Sequence, residues 1–170
     1  MESSHNRIFI FLDIDGVLNT SAQWKRMYQL DNGCIARFNE YIRALSTKGS
    51  VRIILTSSWK NGFDPAGHHT PQIQALIAKL NVPILGKTEN RADGDRAAEI
   101  NDYIQNHKLE HEECIVIDDD PDLFRSKLTD NCKLLLTDAR VGFQNPQASS
   151  GNSHGFPQHL LNRFFLRYNS

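Results

Sequence analysis

The chain has 170 residues, of which 39% are hydrophobic and 23% charged, and its formal net charge is −1. That length suits one domain built on one core. The near-neutral balance excludes a basic nucleic-acid footprint spread over the whole surface and leaves room only for a local basic groove. The opening Met-Glu-Ser-Ser-His-Asn-Arg lacks the charged-then-apolar layout of a signal peptide, and the longest apolar runs are far too short to cross a bilayer. A cytoplasmic protein with no membrane partner is therefore expected. The three cysteines, Cys34, Cys114 and Cys132, are odd in number and form no Cys-x-x-Cys pair; Cys114 and Cys132 adjoin apolar runs and read as buried small residues, and a reducing compartment suits the set.

In chain order, residues 8–12 (Ile-Phe-Ile-Phe-Leu) form the first expected strand, apolar throughout and therefore buried on both faces. Ile35, Phe38, Ile42 and Leu45 follow with helical spacing after Gly33. Residues 51–55 repeat the buried-strand pattern and stop at Thr-Ser-Ser-Trp. Thr70-Pro71 then opens a helix on Ile73, Leu76, Ile77 and Leu80, with proline at its favoured first position. A short strand is expected from Val82 to Leu85. A third helix carries Ala97, Ile100, Tyr103 and Ile104. Residues 114–117 form the next strand, ending at three aspartates, and Asp120-Pro121 reads as the cap of a short helix over 121–128. Residues 133–136 are the last strand. Residues 145–156, rich in Gly, Ser and Asn, read as a loop, and 157–167 as a final helix around Leu160, Leu161, Phe164 and Phe165.

Buried strands alternating with helices imply parallel pairing. The expected fold class is α/β: a Rossmann-like three-layer sandwich with a central, mainly parallel sheet. In such sheets function collects at the carboxyl ends of the strands, where the polar clusters of this chain stand. Asp13 and Asp15 leave the first strand two residues apart, on one side of an extended segment. Two carboxylates so placed repel unless a cation or proton separates them. Gly16 then permits a sharp turn and a close backbone approach. Asp118, Asp119 and Asp120 end another buried strand. Convergence of both groups on one crevice calls for a hard divalent cation with oxygen ligands, and the small number of carboxylates favours Mg²⁺ over Ca²⁺. The absence of a His/Cys set argues against zinc. A carboxylate is already ionised at neutral pH and attacks phosphorus without a base. What it needs is positive charge on the phosphate, from Mg²⁺ and a fixed Lys or Arg. Asp15 is placed to protonate the leaving oxygen and then activate water. Thr56 or Ser57 is placed to hold phosphate oxygens. Trp24 and Trp59 read as packing residues, with a stacking platform as the alternative.

Leu12-Asp13-Ile14-Asp15-Gly16-Val17-Leu18-Asn19 resembles the first motif of the haloacid dehalogenase (HAD) superfamily in its phosphatase form. Ile53-Ile54-Leu55-Thr56-Ser57 is similar to the second motif, and Ile115-Val116-Ile117-Asp118-Asp119 to the acidic fourth. The motifs fall in the family's order, and the resemblance covers about residues 8–143. It implies Asp13 as nucleophile, forming an aspartyl-phosphate, and Asp15 as general acid/base, lending its backbone carbonyl to Mg²⁺. It further implies Asp118 and Asp119 as metal ligands, with Asp122 as the alternative to Asp119. The third motif requires a Lys or Arg, for which Arg96, Lys87 and Arg91 all qualify by location. Arg96-Ala97-Ala98-Glu99-Ile100 resembles an Arg-Gly-x-Glu-Ile pattern of one branch, the HAD domain of Swiss Army Knife RNA repair proteins, and Thr56-Ser57-Ser58-Trp59 is similar to that branch's Thr-Ser-Trp-like second motif. That favours Arg96, then Lys87.

About thirty-five residues separate the first motif from the second, and about thirty separate Trp59 from the basic region. Neither gap holds a sizeable cap domain, so an open site is expected, suited to a bulky phosphorylated substrate. The reading is a single HAD-like domain over 1–170: a Mg²⁺-dependent phosphomonoesterase acting on a nucleic-acid end or a phosphoprotein. A phosphotransferase using the same aspartyl-phosphate and a non-catalytic phosphate-binding module are the alternatives.

Overall fold

The computed structural model describes residues 6–147. The helix expected over 157–167, and all but the start of the loop expected over 145–156, lie outside the described residues. The elements are β1 (Arg7–Leu12), α1 (Asn32–Ser46), β2 (Ser50–Leu55), α2 (Pro71–Lys79), β3 (Ile84–Lys87), α3 (Arg96–Asn106), β4 (Glu113–Asp118) and β5 (Cys132–Leu136). Three short 3-10 turns, Ser21–Gln23, Ser58–Gly62 and Pro121–Leu123, complete the set. The five strands form one sheet in the order β3-β2-β1-β4-β5, with every pairing parallel.

Each central strand buries both faces, and the alternation of side chains assigns them to two cores. Ile8, Ile10 and Leu12 of β1 pack with Val51, Ile53 and Leu55 of β2, Ile115 and Ile117 of β4, Phe38 and Ile42 of α1 and Leu76 of α2. Phe9, Phe11, Ile54, Cys114 and Val116 turn the other way, onto Ile100, Tyr103 and Ile104 of α3. The result is an α/β three-layer arrangement with α1 and α2 on one face and α3 on the other. Between β1 and β2 stand only a loop with one 3-10 turn and α1, and between β2 and α2 a second such loop, so the fold carries no sizeable cap. No helix among the described residues is long and apolar enough to cross a membrane.

Two expected boundaries move. The strand expected at Val82–Leu85 lies at Ile84–Lys87, because Pro83 has no N–H for the ladder and only its carbonyl joins, accepting from the Ile53 amide at 3.3 Å. The pairing of β2 with β3 also shifts register between Ile53 and Ile54. The helix expected over 121–128 stops after Pro121–Leu123. Asp120 does cap it, accepting from the Asp122 amide at 3.0 Å. The amides of Arg125 and Ser126, however, turn away to the carboxylate of Asp95 at 3.3 and 3.0 Å. An outside acceptor thus takes the donors that a helix would have used.

Candidate active site

Parallel register sets the site's floor. Leu12 stands level with Leu55 on one side and Ile117 on the other, so Asp13, Thr56 and Asp118 leave three adjacent strands at one height. The amide of Asp13 donates to the Ile117 carbonyl at 2.9 Å, and that of Thr56 to the Leu12 carbonyl at 3.0 Å. The chain runs outward from β1 through β2 to β3, then returns to β4 on the other flank of β1. Asp13 and Asp118 therefore flank the point where the strand order reverses, the usual crevice of open α/β sheets. Carboxylate oxygens of Asp13, Asp118 and Asp119 lie within 4.8 Å of one another. Asp122 is exposed and stands outside this group.

The turn after Asp13 is built on Gly16, whose φ of +77° is left-handed and whose missing Cβ leaves room for the Asp119 carboxylate. Asn19, a residue whose role spacing alone did not reveal, holds this turn from within. Its carbonyl oxygen accepts from the Gly16 amide at 2.9 Å and from Trp24 Nε1 at 3.1 Å. Its amide nitrogen donates to Asp15 Oδ1 at 2.7 Å and to the Gln29 carbonyl at 2.9 Å. Asp15 Oδ2 accepts from Trp59 Nε1 at 3.1 Å, so both oxygens of Asp15 are oriented by neutral donors. Trp59 is buried, as a packing residue should be, whereas Trp24 is 48% exposed. Ser57 caps the following turn, its hydroxyl accepting from the Trp59 amide at 3.3 Å.

The three candidate basic residues fare differently. Arg96 opens α3, and its Nη1 lies 3.5 Å from Asp13 Oδ1 and 3.4 Å from Asp118 Oδ2. Lys87 donates to the Phe63 carbonyl at 2.9 Å and forms no ion pair among the described residues. Arg91 is tied at the surface to Asp93 and Asp102. The cap of α3 is Asp95, whose carboxylate accepts from the amides of Ala97 and Ala98 while Ser126 donates to it from both amide and hydroxyl. An aspartate directly before the helix was the signal for this anchor.

Sequence reasoning also missed a buried ion pair beneath the site. Lys60 Nζ donates to Glu99 Oε2 at 2.7 Å and to Thr88 Oγ1 at 3.1 Å. Glu99 Oε2 also stands 4.0 Å from Arg96 Nε, three residues earlier on the same helix face. The Arg96–Glu99 spacing was legible in sequence; the arrival of Lys60 from another loop was not.

The electrostatics show what the cluster lacks. Burial, then the charge of Asp118, pushes the Asp13 carboxyl up to about 8, although Arg96 pulls it back. Burial also raises Asp118 against the pull of Arg96, and burial followed by Asp118 raises Asp119 to about 6. One guanidinium does not offset three converging carboxylates. Among the described residues, Asp118 Oδ2, Arg96 Nη1 and Thr56 Oγ1 are buried and make no hydrogen bond. Such atoms are rare in a folded interior and call for explanation. The acceptor fits a cation and the two donors fit an anion. Oxygen donors alone, with no His or Cys, suit a hard cation such as Mg²⁺.

A family model, described as the HAD domain in Swiss Army Knife RNA repair proteins, matches residues 9–148. No curated protein and no solved structure matches the chain.

Proposed function

The chain belongs to the family of HAD domains in Swiss Army Knife RNA repair proteins, and from that premise we propose that it is a Mg²⁺-dependent phosphomonoesterase with Asp13 as its nucleophile. The observation that carries the reading is the meeting of Asp13, Asp118 and Asp119 beside Arg96, with the hydroxyl of Thr56 buried and unpaired at the next strand end. Carboxylates of Asp13, Asp118 and Asp119, with the Asp15 carbonyl, would hold Mg²⁺, which when bound supplies charge neutralisation for the carboxylates and the phosphate.

Substrate phosphate is received by Thr56 Oγ1, which makes no hydrogen bond, and by Arg96 Nη1, which faces Asp13 and Asp118 beyond hydrogen-bond range, together with Ser57 and the turn at Gly16. An Asp13 carboxylate oxygen attacks phosphorus, forming the Asp13–phosphate bond as the bond to the leaving oxygen breaks. Asp15, kept in orientation by Asn19 and Trp59, gives its proton to that oxygen. Asp15 then takes a proton from water, which attacks the phosphorus as the Asp13–phosphate bond breaks and frees the Asp13 carboxylate. Inorganic phosphate leaves, and both aspartates return to their starting state. Because the fold carries no sizeable cap, the reading extends to bulky substrates, a nucleic-acid end first and a phosphoprotein second.

Phosphate release from an aryl phosphate, with and without Mg²⁺, tests the reaction class. Turnover should require Mg²⁺ and vanish in Asp13→Asn, which keeps the side chain's shape and removes its nucleophilic charge. Turnover that persists in Asp13→Asn would sink the assignment of the nucleophile. A native protein that neither turns over any ester nor binds Mg²⁺ would sink the whole reading.

A further inference from the structure

Five large apolar side chains are exposed among the described residues, and three of them, Trp24, Met27 and Tyr28, fall within one short segment beside Asp15. Their exposures are 48%, 81% and 47%. Apolar groups gathered this way mark a binding surface. The segment is also held in place. Tyr28 adopts a left-handed φ of +60°, uncommon for an aromatic residue, and packs edge-on against Trp59 at 5.1 Å between ring centroids. Asn19 fastens the segment twice, through Trp24 Nε1 and the Gln29 carbonyl, while holding Asp15.

A cleft of about 400 Å³ runs between these groups, lined by Asp15, Trp24, Arg26, Met27, Tyr28 and Trp59 among others. That volume lies within the range of small-ligand sites. Its direction follows from the chemistry. Asp15 gives its proton to the leaving oxygen, so the leaving group departs on the side of Asp15, into this cleft. The walls are aromatic and thioether groups, which take flat rings. Arg26 lines the cleft, exposed and without an ion pair among the described residues, and supplies positive charge beside those walls; Lys25, its neighbour in the chain, is likewise exposed. Flat faces with anionic neighbours are the chemistry of a nucleoside carrying phosphates.

We infer that this cleft, resting on the phosphatase reading above, is the leaving-group subsite and binds a nucleoside, its base stacked on Trp24 and Tyr28. A phosphotyrosine side chain offers one ring bonded directly to the leaving oxygen, and so held against Asp15, with no second flat group to stack beyond it. A mononucleotide and the phosphorylated end of a strand share the stacking base, and only the strand end adds a further phosphate for Arg26.

The test compares kcat/KM, with Mg²⁺ present, for a nucleoside 5′-monophosphate and for ribose 5-phosphate, the same ester without a base. Stacking on an aromatic side chain is worth about 5- to 150-fold per base. The native protein should therefore prefer the nucleotide by about tenfold or more, chiefly through KM. That ratio should collapse in Trp24→Ala and in Tyr28→Ala and survive in Trp24→Phe, which keeps a ring and loses only the N–H to Asn19. A phosphorylated oligonucleotide separates the two sources. Preference for it over the mononucleotide, lost in Arg26→Ala, identifies a strand end, and equal use identifies the free nucleotide; either upholds the subsite. Equal rates on nucleotide and sugar phosphate, a ratio unchanged in Trp24→Ala, or preference for a phosphotyrosine peptide would overturn it. No turnover of any ester would instead defeat the phosphatase reading. Nucleotide binding to Asp13→Asn, read by tryptophan quenching that shrinks in Trp24→Phe to the share of Trp59, would then uphold the subsite, and no quenching would overturn it.

Discussion

At the scale of single residues, Arg96 and Lys87 are a controlled pair, since one cation opens α3 and the other ends β3 of the sheet on which α3 packs. Arg96 Nη1 reaches two carboxylates of the cluster at 3.4–3.5 Å, a little beyond charge-assisted hydrogen-bond range, and makes no hydrogen bond. A donor in that state is free to serve a developing negative charge. Removing one such donor typically costs about 10²–10³ in kcat. Arg96→Ala should lose activity on that scale in steady-state assays, whereas Lys87→Ala, which frees only the Phe63 carbonyl, should stay within a few-fold of native. The reverse ranking would give the third-motif role to Lys87. Gly16 makes a separate, structural prediction. A side chain there meets a left-handed φ, costing about 1–2 kcal/mol, and collides with the Asp119 carboxylate. Gly16→Ala should lower the melting temperature by at least about 2–8 °C for a domain of this size, and weaken Mg²⁺ binding by displacing Asp119.

Among the elements, α3 matters most, because its first turn carries Arg96. Its anchor is the Asp95 carboxylate, which serves the helix's own first amides and also stops the segment after Pro121–Leu123 from continuing as a helix. Loss of an N-cap costs about 0.5–2 kcal/mol, and Asp95→Ala should show that in urea unfolding, together with a fall in activity as Arg96 loses its fixed origin. Burial acts to raise the Asp95 carboxyl, yet hydrogen bonds from Ser126 and the amides of Ala98, Ser126 and Arg125 outweigh it and hold the group below the usual carboxylate range. The sign follows from linkage: a group depressed in the folded state contributes stability above its unfolded pKa of about 4, lost as pH falls through the folded value. The stability gap between native protein and Asp95→Ala should therefore be constant near neutrality and shrink below about pH 4. The same element shows where sequence reading succeeds and where it stops. The face of Ala97, Ile100, Tyr103 and Ile104 was legible because amphipathic spacing is local. So were β1, β2 and β4, whose apolar runs end at chemistry-bearing residues. What spacing could not yield were long-range partners: Ser126 and Arg125 meeting Asp95, Lys60 meeting Glu99, and Asn19 joining the turn at Gly16 to Trp24. Each depends on segments that only the finished sheet brings together.

Across the whole molecule, the topology concentrates negative charge at one point. Parallel register delivers Asp13 and Asp118 to the same height on adjacent strands, and both cores close beneath them, so the carboxylates meet with little water to screen them. A fold that gathers like charges in its interior is less stable than its packing allows, and a cation that binds only the folded state returns the difference. Mass action sets the size: about 2.7 kcal/mol at a ligand concentration of 100 Kd. For a domain of this length that corresponds to roughly 5–11 °C in melting temperature. Thermal unfolding should therefore shift upward with Mg²⁺ concentration and return on chelation by EDTA. Asp119→Asn isolates the cause. Asp119 is half-buried and forms no ion pair with Arg96, so its neutral isostere relieves repulsion without orphaning a cation. This variant should match or exceed the native melting temperature without Mg²⁺ and show a smaller rise when Mg²⁺ is added. A native melting temperature indifferent to Mg²⁺ would mean that the cluster holds no metal, and a full rise retained in Asp119→Asn would mean that the metal is held without Asp119.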